Sequence, residues 1–315
     1  MHTEHRILLT GGTGLVGMAT VKTLFRHGWQ VRVLTRNPSS ERAQAVAALG
    51  ASVVGGNLND RDTLDAAMTA VDGVFSVVPL VTSYDPQEAF DTQLLGTKNV
   101  IDAAVEAGVE HFVLLSANSD NRAVNQNLAN KFLMEQYARD KGLRSTFLRP
   151  VAFMENFALP QWGLHQQVFT TALLPSTRQP LIAVDDIAEF AAIAFDHPPR
   201  AGSTILELAG DELTPGEMAA ALSQALGRPI PCLYISSETL LRLNENSAQG
   251  YAHINAGAMN PVDLAALRKI HPGLMDFRTW LATTGAALLK PLLPLDRPGA
   301  YLADLPAWRL ESSLA

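Results

Sequence analysis

The stretch Thr10-Gly11-Gly12-Thr13-Gly14-Leu15-Val16-Gly17 constrains the fold of this chain more than any other feature. The residues before it, Arg6-Ile7-Leu8-Leu9-Thr10, read as a short buried strand. Those after it, Leu15 to His27, read as a helix closed by Gly28. Two spacings overlap: G-x-G-x-x-G through Gly12, Gly14 and Gly17, and G-x-x-G-x-x-G through Gly11, Gly14 and Gly17. The physics is the same in both registers. Missing side chains permit a sharp turn and let backbone N–H groups approach phosphates, and the helix N-terminus adds partial positive charge. A glycine pattern alone is weak; set between a strand and a helix at the start of a βαβ unit, it predicts a dinucleotide pyrophosphate site.

The rhythm continues through the first half of the chain. Gln30–Thr35, Ser52–Gly56, Val74–Val78, His111–Leu115 and Arg144–Leu148 read as strands. Between them lie helical stretches at Ser40–Leu49, after a cap at Asn59 or Asp60, at Pro86–Ala107 and at Leu128–Lys141. Near-continuous apolar strands separated by helices imply a parallel sheet covered on both faces. The predicted fold is α/β, a doubly wound parallel sheet of the Rossmann kind, with the ligand beyond the carboxyl ends of the strands. After Pro150 the rhythm loosens. Helices are expected from Val184 to about His197, from Thr214-Pro215 onward, over Pro261–Ile270 and over Asp276–Ala282, with a strand at Thr204–Leu208. The expected organisation is a dinucleotide-binding domain over 1–150, a smaller α/β substrate-binding region over 151–285 interleaved with the sheet, and an apolar, proline-containing tail over 286–315.

Charge and composition exclude several alternatives. A formal net charge of −7 argues against nucleic-acid binding, which needs a basic footprint. The one cysteine, Cys232, leaves no intrachain disulfide and is expected to pack as a small apolar residue. No apolar run reaches the ~18 residues of a membrane span, and Met1 to Arg6 is polar rather than signal-like, so a cytoplasmic location is the default expectation. The eight histidines show no metal-like grouping with acids or cysteine, and no G-x-S-x-G elbow is present.

The end of the second strand bears on cofactor choice. An NAD site commonly places an acid about 20 residues on, for the ribose 2′-hydroxyl, whereas an arginine accommodates a 2′-phosphate. Here Thr35-Arg36-Asn37-Pro38 carries no acid before Glu41, so Arg36 points to NADP(H) in preference to NAD(H); the alternative is a solvated surface arginine. At the third strand's end, Asn57 and Leu58 are placed to meet the adenine edge and face, or else form a helix-capping turn. Val78, Pro79 and Leu80 would border the ribose nearer the nicotinamide.

Several further runs give the chain a resemblance. Gly96-Thr97-Lys98-Asn99-Val100-Ile101-Asp102-Ala103-Ala104, Leu148-Arg149-Pro150-Val151-Ala152-Phe153-Met154-Glu155-Asn156-Phe157, Val184-Asp185-Asp186-Ile187-Ala188 and Asp276-Phe277-Arg278-Thr279-Trp280-Leu281 accompany the glycine turn. Together they resemble the NmrA-like group of atypical short-chain dehydrogenase/reductases from about Arg6 to Gly285. The resemblance implies NADPH binding, a small-molecule substrate pocket built from the C-terminal half, and either reductase activity or redox sensing. It implies cofactor contacts at Ser116, Lys131, Pro150 and Phe153, and a pocket role for Asn156; Ser116 stands near where a helping hydroxyl often sits, with Ala117 as the alternative at that site, and His165 lies in the same substrate segment. Related reductases carry a lysine at Lys131 that binds the nicotinamide ribose and in some helps proton transfer, so Lys131 is the first catalytic candidate. Tyr84, in the loop after strand four, is a second catalytic candidate as a source of a phenol proton; the alternative is a plain loop tyrosine.

One departure restricts the chemistry. The wider superfamily places a tyrosine four residues before the lysine, and here that residue is Asn127, whose amide is no proton donor. Reduction of a simple ketone makes a strongly basic alkoxide that needs a positioned acid. Reduction of a quinone makes a phenolate, whose conjugate acid has a pKa near ~10 and is protonated more easily. The expected function is therefore an NADPH-dependent oxidoreductase passing hydride to a small conjugated or aromatic, quinone-like acceptor. The alternative is a non-catalytic NADP(H) redox sensor, with a homodimer or a regulatory protein as its partner.

Overall fold

The computed structural model describes residues 5–77, 86–119 and 126–293. They form two compact units, Met1–Pro150 with Val184–Leu208, and Val151–Ala183 with Ala209–Ala315.

The first unit holds strands β1 (Arg6–Thr10), β2 (Gln30–Thr35), β3 (Ser52–Gly55), β4 (Gly73–Val77), β5 (His111–Leu115), β6 (Ser145–Pro150) and β7 (Ser203–Leu208). Its helices are α1 (Leu15–Arg26), α2 (Glu41–Ala48), α3 (Arg61–Met68), α4 (Pro86–Glu106), α5 (Gln126–Asp140) and α6 (Val184–Asp196). The strands make one sheet in the order β7-β6-β5-β4-β1-β2-β3, parallel throughout. The order reverses at β1, which pairs with both β2 and β4; such a switch point is where open α/β sheets bind ligands. The α/β doubly wound fold is thus observed.

Burial explains the apolar runs. Ile7, Leu8 and Leu9 are wholly buried and every residue of β5 is buried, because helices cover both faces of the sheet. Leu64 and Met68 of α3, Val100, Ile101 and Ala104 of α4, and Met134 and Ala138 of α5 pack with Phe112, Leu114 and Phe147. Elsewhere in this unit α1 packs on α6, fastened by Arg26 to Glu189 and by His27 Nδ1 to Asp196 Oδ2 at 2.6 Å. Asp60 is the cap of α3, accepting from Thr63 N. The sixth strand lies one residue later at its start than expected and two at its end, because Arg149 and Pro150 go on pairing with Glu207 and Leu208 of β7.

His111, on β5, is 3 % exposed; its Nε2 lies 3.0 Å from Thr146 Oγ1, and its ring meets Phe195 edge-on. Desolvation, helped by the Arg144 guanidinium, pushes its pKa from 6.5 down to about 4. Its contribution to stability is therefore complete above pH 6.5 and is lost as pH falls through 4, on the order of 3 kcal/mol. Urea unfolding between pH 7 and 4 should show that loss, and His111→Leu should flatten it. The same pH slope in both proteins would count against the assignment.

The second unit is built from short pieces. Gln179–Ile182 lies between Asp211–Leu213, antiparallel, and Ala152–Phe153, parallel. Phe169–Thr171 pairs in parallel with Cys232–Tyr234. Helix Pro215–Leu226 starts at a capping box of Thr214 and Glu217, and those bonds from Thr214 hold the Glu217 carboxyl below its ordinary pKa. The core is aromatic: Phe157 lies 4.5 Å from Trp162, 5.3 Å from Phe169 and 5.0 Å from Phe277, and Phe277 stacks on Trp280. Leu289 and Leu293, from the start of the expected tail, pack in this same core. Cys232 is half-buried, and desolvation raises its thiol pKa.

Two sequence expectations are corrected here, and two helices lie where none was expected. Helix Leu264–Ile270 starts after Asp263, which caps it by accepting from Ala266 N, so Pro261 and Val262 precede the helix. Asp276 caps Phe277–Trp280, and a π turn, Leu281–Gly285, follows. Trp280 accounts for the glycine that ends that turn, because a Cβ on Gly285 would sit 2.6 Å from its indole. The helices Ser237–Leu243 and Glu245–Asn255 went unread; neither contains a buried residue, so neither has a marked apolar stripe. Among the described residues no helix is long and apolar enough to cross a membrane.

Candidate functional site

The glycine turn joins the carboxyl end of β1 to α1 beside the end of β4. Thr10 is 1 % exposed, and its hydroxyl lies 3.4 Å from Ser76 Oγ and from the Val77 carbonyl oxygen. Gly11 has φ +71°, a conformation that costs a residue with a Cβ, and it accepts from Gly14 N at 3.0 Å. Gly17 faces the turn across the smallest gap: a Cβ there would lie 2.2 Å from Gly11 O and 2.5 Å from Gly12 Cα. Gly14 is the N-cap of α1 with no side-chain cap bond, and the first turn holds no acid. The uncapped N–H groups and the helix dipole fit the pyrophosphate of a dinucleotide, which has acceptor oxygens and negative charge. Val16 turns inward at 6 % exposure, whereas Leu15 is 59 % exposed and Thr13 half-buried.

At the end of β2, Arg36 is exposed and forms no ion pair with a described residue. The chain after it is tied back: Asn37 Oδ1 accepts from Ser39 N at 3.1 Å, and Ser40 Oγ donates to Asn37 O at 2.9 Å. At the end of β3, Asn57 is drawn into the local turn, its Oδ1 accepting from Asn59 N at 3.1 Å. Leu58 is half-buried against the core and its carbonyl accepts from Asn99 Nδ2 at 2.9 Å. A Cβ on Gly96 would come within 3.1 Å of Leu58 Cβ, so two residues of the Gly96-Thr97-Lys98-Asn99 run seat this loop. Val78, Pro79, Leu80 and Tyr84 lie outside the described residues.

Beyond β5 a charged network appears that the sequence reading did not contain. Lys131, half-buried on α5, donates from Nζ to the Leu115 carbonyl at 3.1 Å. Desolvation lowers its pKa to about 8, against the upward pull of the Glu135 carboxylate. Ser116 and Glu135 are both buried, and Ser116 Oγ donates to Glu135 Oε1 at 2.6 Å. Arg149 grips Glu135 in a fork, Nε at 2.8 Å and Nη2 at 2.7 Å, and its Nη1 reaches Glu207 Oε1 at 3.0 Å. Asn118 Nδ2 donates to Glu207 Oε2 at 2.8 Å. Although desolvation opposes it, the bonds from Glu135 and Glu207 leave the Arg149 guanidinium above its ordinary pKa. The available signals were the i, i+4 spacing of Lys131 and Glu135 and a lone arginine at the end of an apolar strand.

The remaining candidates are dispersed. Pro150 closes β6, its carbonyl accepting from Asn118 N at 3.0 Å. In the second unit Phe153 and Asn156 are half-buried, and His165 is exposed on the one-turn helix Leu164–Gln166. Met154 and Phe157 are wholly buried, and Glu155 accepts from Trp280 Nε1 at 3.0 Å, so much of the Phe153–Phe157 run serves packing. Trp162 and Phe169 belong to the aromatic core.

The switch-point sheet and its glycine turn place the chain in the Rossmann class of folds. The family model for the NmrA-like family matches residues 3–260, and the chain belongs to that family. The (4-alkanoyl-5-oxo-2,5-dihydrofuran-3-yl)methyl phosphate reductase of Streptomyces griseus is 36% identical to it over 232 residues, 71% of this chain and 75% of that protein. NAD(P)H azoreductase of Xenophilus azovorans is 28% identical over 278 residues, 86% of this chain and 90% of that protein. The structure of NmrA, a negative transcriptional regulator, in complex with NADP is similar in fold, with a TM-score of 0.75 at 19% identity, covering 93% of this chain and 99% of that one.

Proposed function

We propose that this protein is an NADPH-dependent reductase acting on a small conjugated acceptor of the quinone or enone kind. The observation that carries the reading is Lys131, a partly desolvated ammonium fixed at the carboxyl end of β5 with one donor on Leu115 and two others without a hydrogen bond among the described residues. The turn from Thr10 to Gly17 holds the pyrophosphate, Arg36 the 2′-phosphate, and Asn57 and Leu58 border the adenine. Lys131 holds the nicotinamide ribose, with Ser116, Pro150 and Phe153 as further cofactor contacts. Asn156 and His165 are assigned to the substrate pocket. When bound, the nicotinamide supplies hydride chemistry.

The side chains narrow the acceptor. Ser116 gives its only proton to Glu135, so it has none for a substrate oxygen. Asn127 stands where the superfamily has its tyrosine acid. The product anion must then be weakly basic and take its proton from water or from Lys131, which suits a conjugated acceptor better than a simple ketone. The names of the two relatives accord with this, one describing an acylated unsaturated lactone and the other an azo group.

The test follows NADPH absorbance with quinones, enones and aldehydes. Quinones and enones should turn over, aldehydes should not, and Lys131→Ala should lose roughly 10²–10⁴-fold in rate. Tight NADPH binding with no turnover on any acceptor would overturn the reductase reading in favour of a redox sensor. Cofactor preference has its own test. Arg36→Ala should weaken NADPH by roughly 10–100-fold, the equivalent of losing a charged hydrogen bond, and leave NADH nearly unchanged. Equal losses for both would sink the preference for NADPH.

A further inference from the structure

Two consecutive residues at the end of β5 clamp two residues one turn apart on α5. The Leu115 carbonyl accepts from Lys131 Nζ at 3.1 Å, and Ser116 Oγ donates to Glu135 Oε1 at 2.6 Å. Lys131 and Glu135 share a helix face at i, i+4. Glu135 is wholly buried and accepts from the Arg149 fork at 2.8 and 2.7 Å, from the Ser116 hydroxyl, and from Arg139 Nη2 at 3.2 Å. Arg149 is itself 4 % exposed and held from the other side by Glu207.

A buried ion pair of this kind contributes little net stability, since an apolar pair of similar volume is often as stable or more so. The packing alone does not require Glu135. What distinguishes a carboxylate there is its field on the cation one turn away.

We propose that Glu135 is a positioning residue for Lys131: anchored by Arg149 and Ser116, its carboxylate fixes α5 on the end of β5 and keeps the Lys131 side chain a cation at the Leu115 carbonyl, where it meets the dinucleotide. The proposal rests on the reading that Lys131 is a cofactor ligand. The other charged groups around this helix are committed elsewhere. On α4, Lys98 lies over the Tyr137 ring and Asp102 accepts from the Tyr137 hydroxyl, further along α5. On β6, Arg149 is neutralised by Glu135 and Glu207, and Arg139 of α5 lies against Glu135. Burial alone drives Lys131 downward, and Glu135 is the group that opposes it.

The experiment uses the full chain in three forms: wild type, Glu135→Gln, and the double variant Glu135→Met/Arg149→Met, which replaces the ion pair by an apolar pair and guards against a single variant that fails to fold. The titration midpoint of Lys131 is read by NMR after ¹³C-methylation of the lysines, with Lys131→Arg identifying the signal. NADPH affinity is measured over the same pH range. The wild-type midpoint should lie near 8, and both variants should show it lower by about one pH unit, the order expected for losing one nearby opposite charge. Loss of NADPH affinity should begin correspondingly lower in pH. A carboxylate that served only packing would change stability, or affinity at every pH, without moving the midpoint. An unmoved midpoint in either folded variant overturns the proposal. A midpoint that falls while NADPH affinity ignores it shows instead that Lys131 is no cofactor ligand, and the proposal falls with that reading.

Discussion

Gly17→Ala is expected to remove dinucleotide binding, lowering NADPH affinity by at least roughly 100-fold, and to reduce thermal stability by several degrees. The added methyl would stand 2.2 Å from Gly11 O and 2.5 Å from Gly12 Cα. Both are backbone atoms, so no side chain can swing aside to accept it. Either α1 retreats from the turn or the turn opens, and overpacking of that sort costs about 1–3 kcal/mol. The larger effect falls on binding. The first-turn amides of α1 act on phosphate only when aimed at it, and Gly14 brings no side-chain cap to replace their partner. Isothermal titration with NADPH and a melting curve measure the two effects separately. Affinity within threefold of wild type would show that this turn is not where the phosphates sit.

The second large effect concerns Arg149. Arg149→Met should destabilise the protein by about 3–5 kcal/mol, the usual result of removing one partner from a buried pair. Glu135 would be left wholly buried, with only Ser116 and the more distant Arg139 as donors. Urea unfolding at pH 7.5 measures the loss, and the double Met variant should recover most of it. A single variant within about 1 kcal/mol of wild type at pH 7.5 would show that the pair is not the buried charge network described.

The two features differ in how far the sequence discloses them. The strands and helices of the first unit were legible because each strand carries a continuous apolar run, each helix an apolar stripe, and most have their own stop signals. His111–Leu115 was read to the residue, and Asp60 was one of two caps expected. The second unit was legible only in part. Its strands run to two to four residues, as at Ala152–Phe153 and Phe169–Thr171, too short for any period to register. Helix 245–255 presents no buried face to read.

At the site the division is just as physical. The turn Thr10–Gly17 is a local object: its strand, its glycines and the first turn of α1 are contiguous, and chain sterics alone determine how it bends. The sequence therefore determined by itself the doubly wound class, the glycine turn between β1 and α1 and the position of Lys131 on a helix after β5. The network around Lys131 is of another kind. Glu135 and Arg149 are 14 residues apart, Arg149 and Glu207 are 58 apart, and Asn118 and Glu207 are 89 apart. Glu207 reaches Arg149 and Asn118 because β7 pairs with β6, and Glu135 reaches Arg149 because α5 packs on β6; strand order is set by crossovers and packing rather than by any local period. Only the tertiary structure decided that Ser116 spends its proton on Glu135, and that Lys131 stands beside a buried carboxylate whose own partners come from other strands.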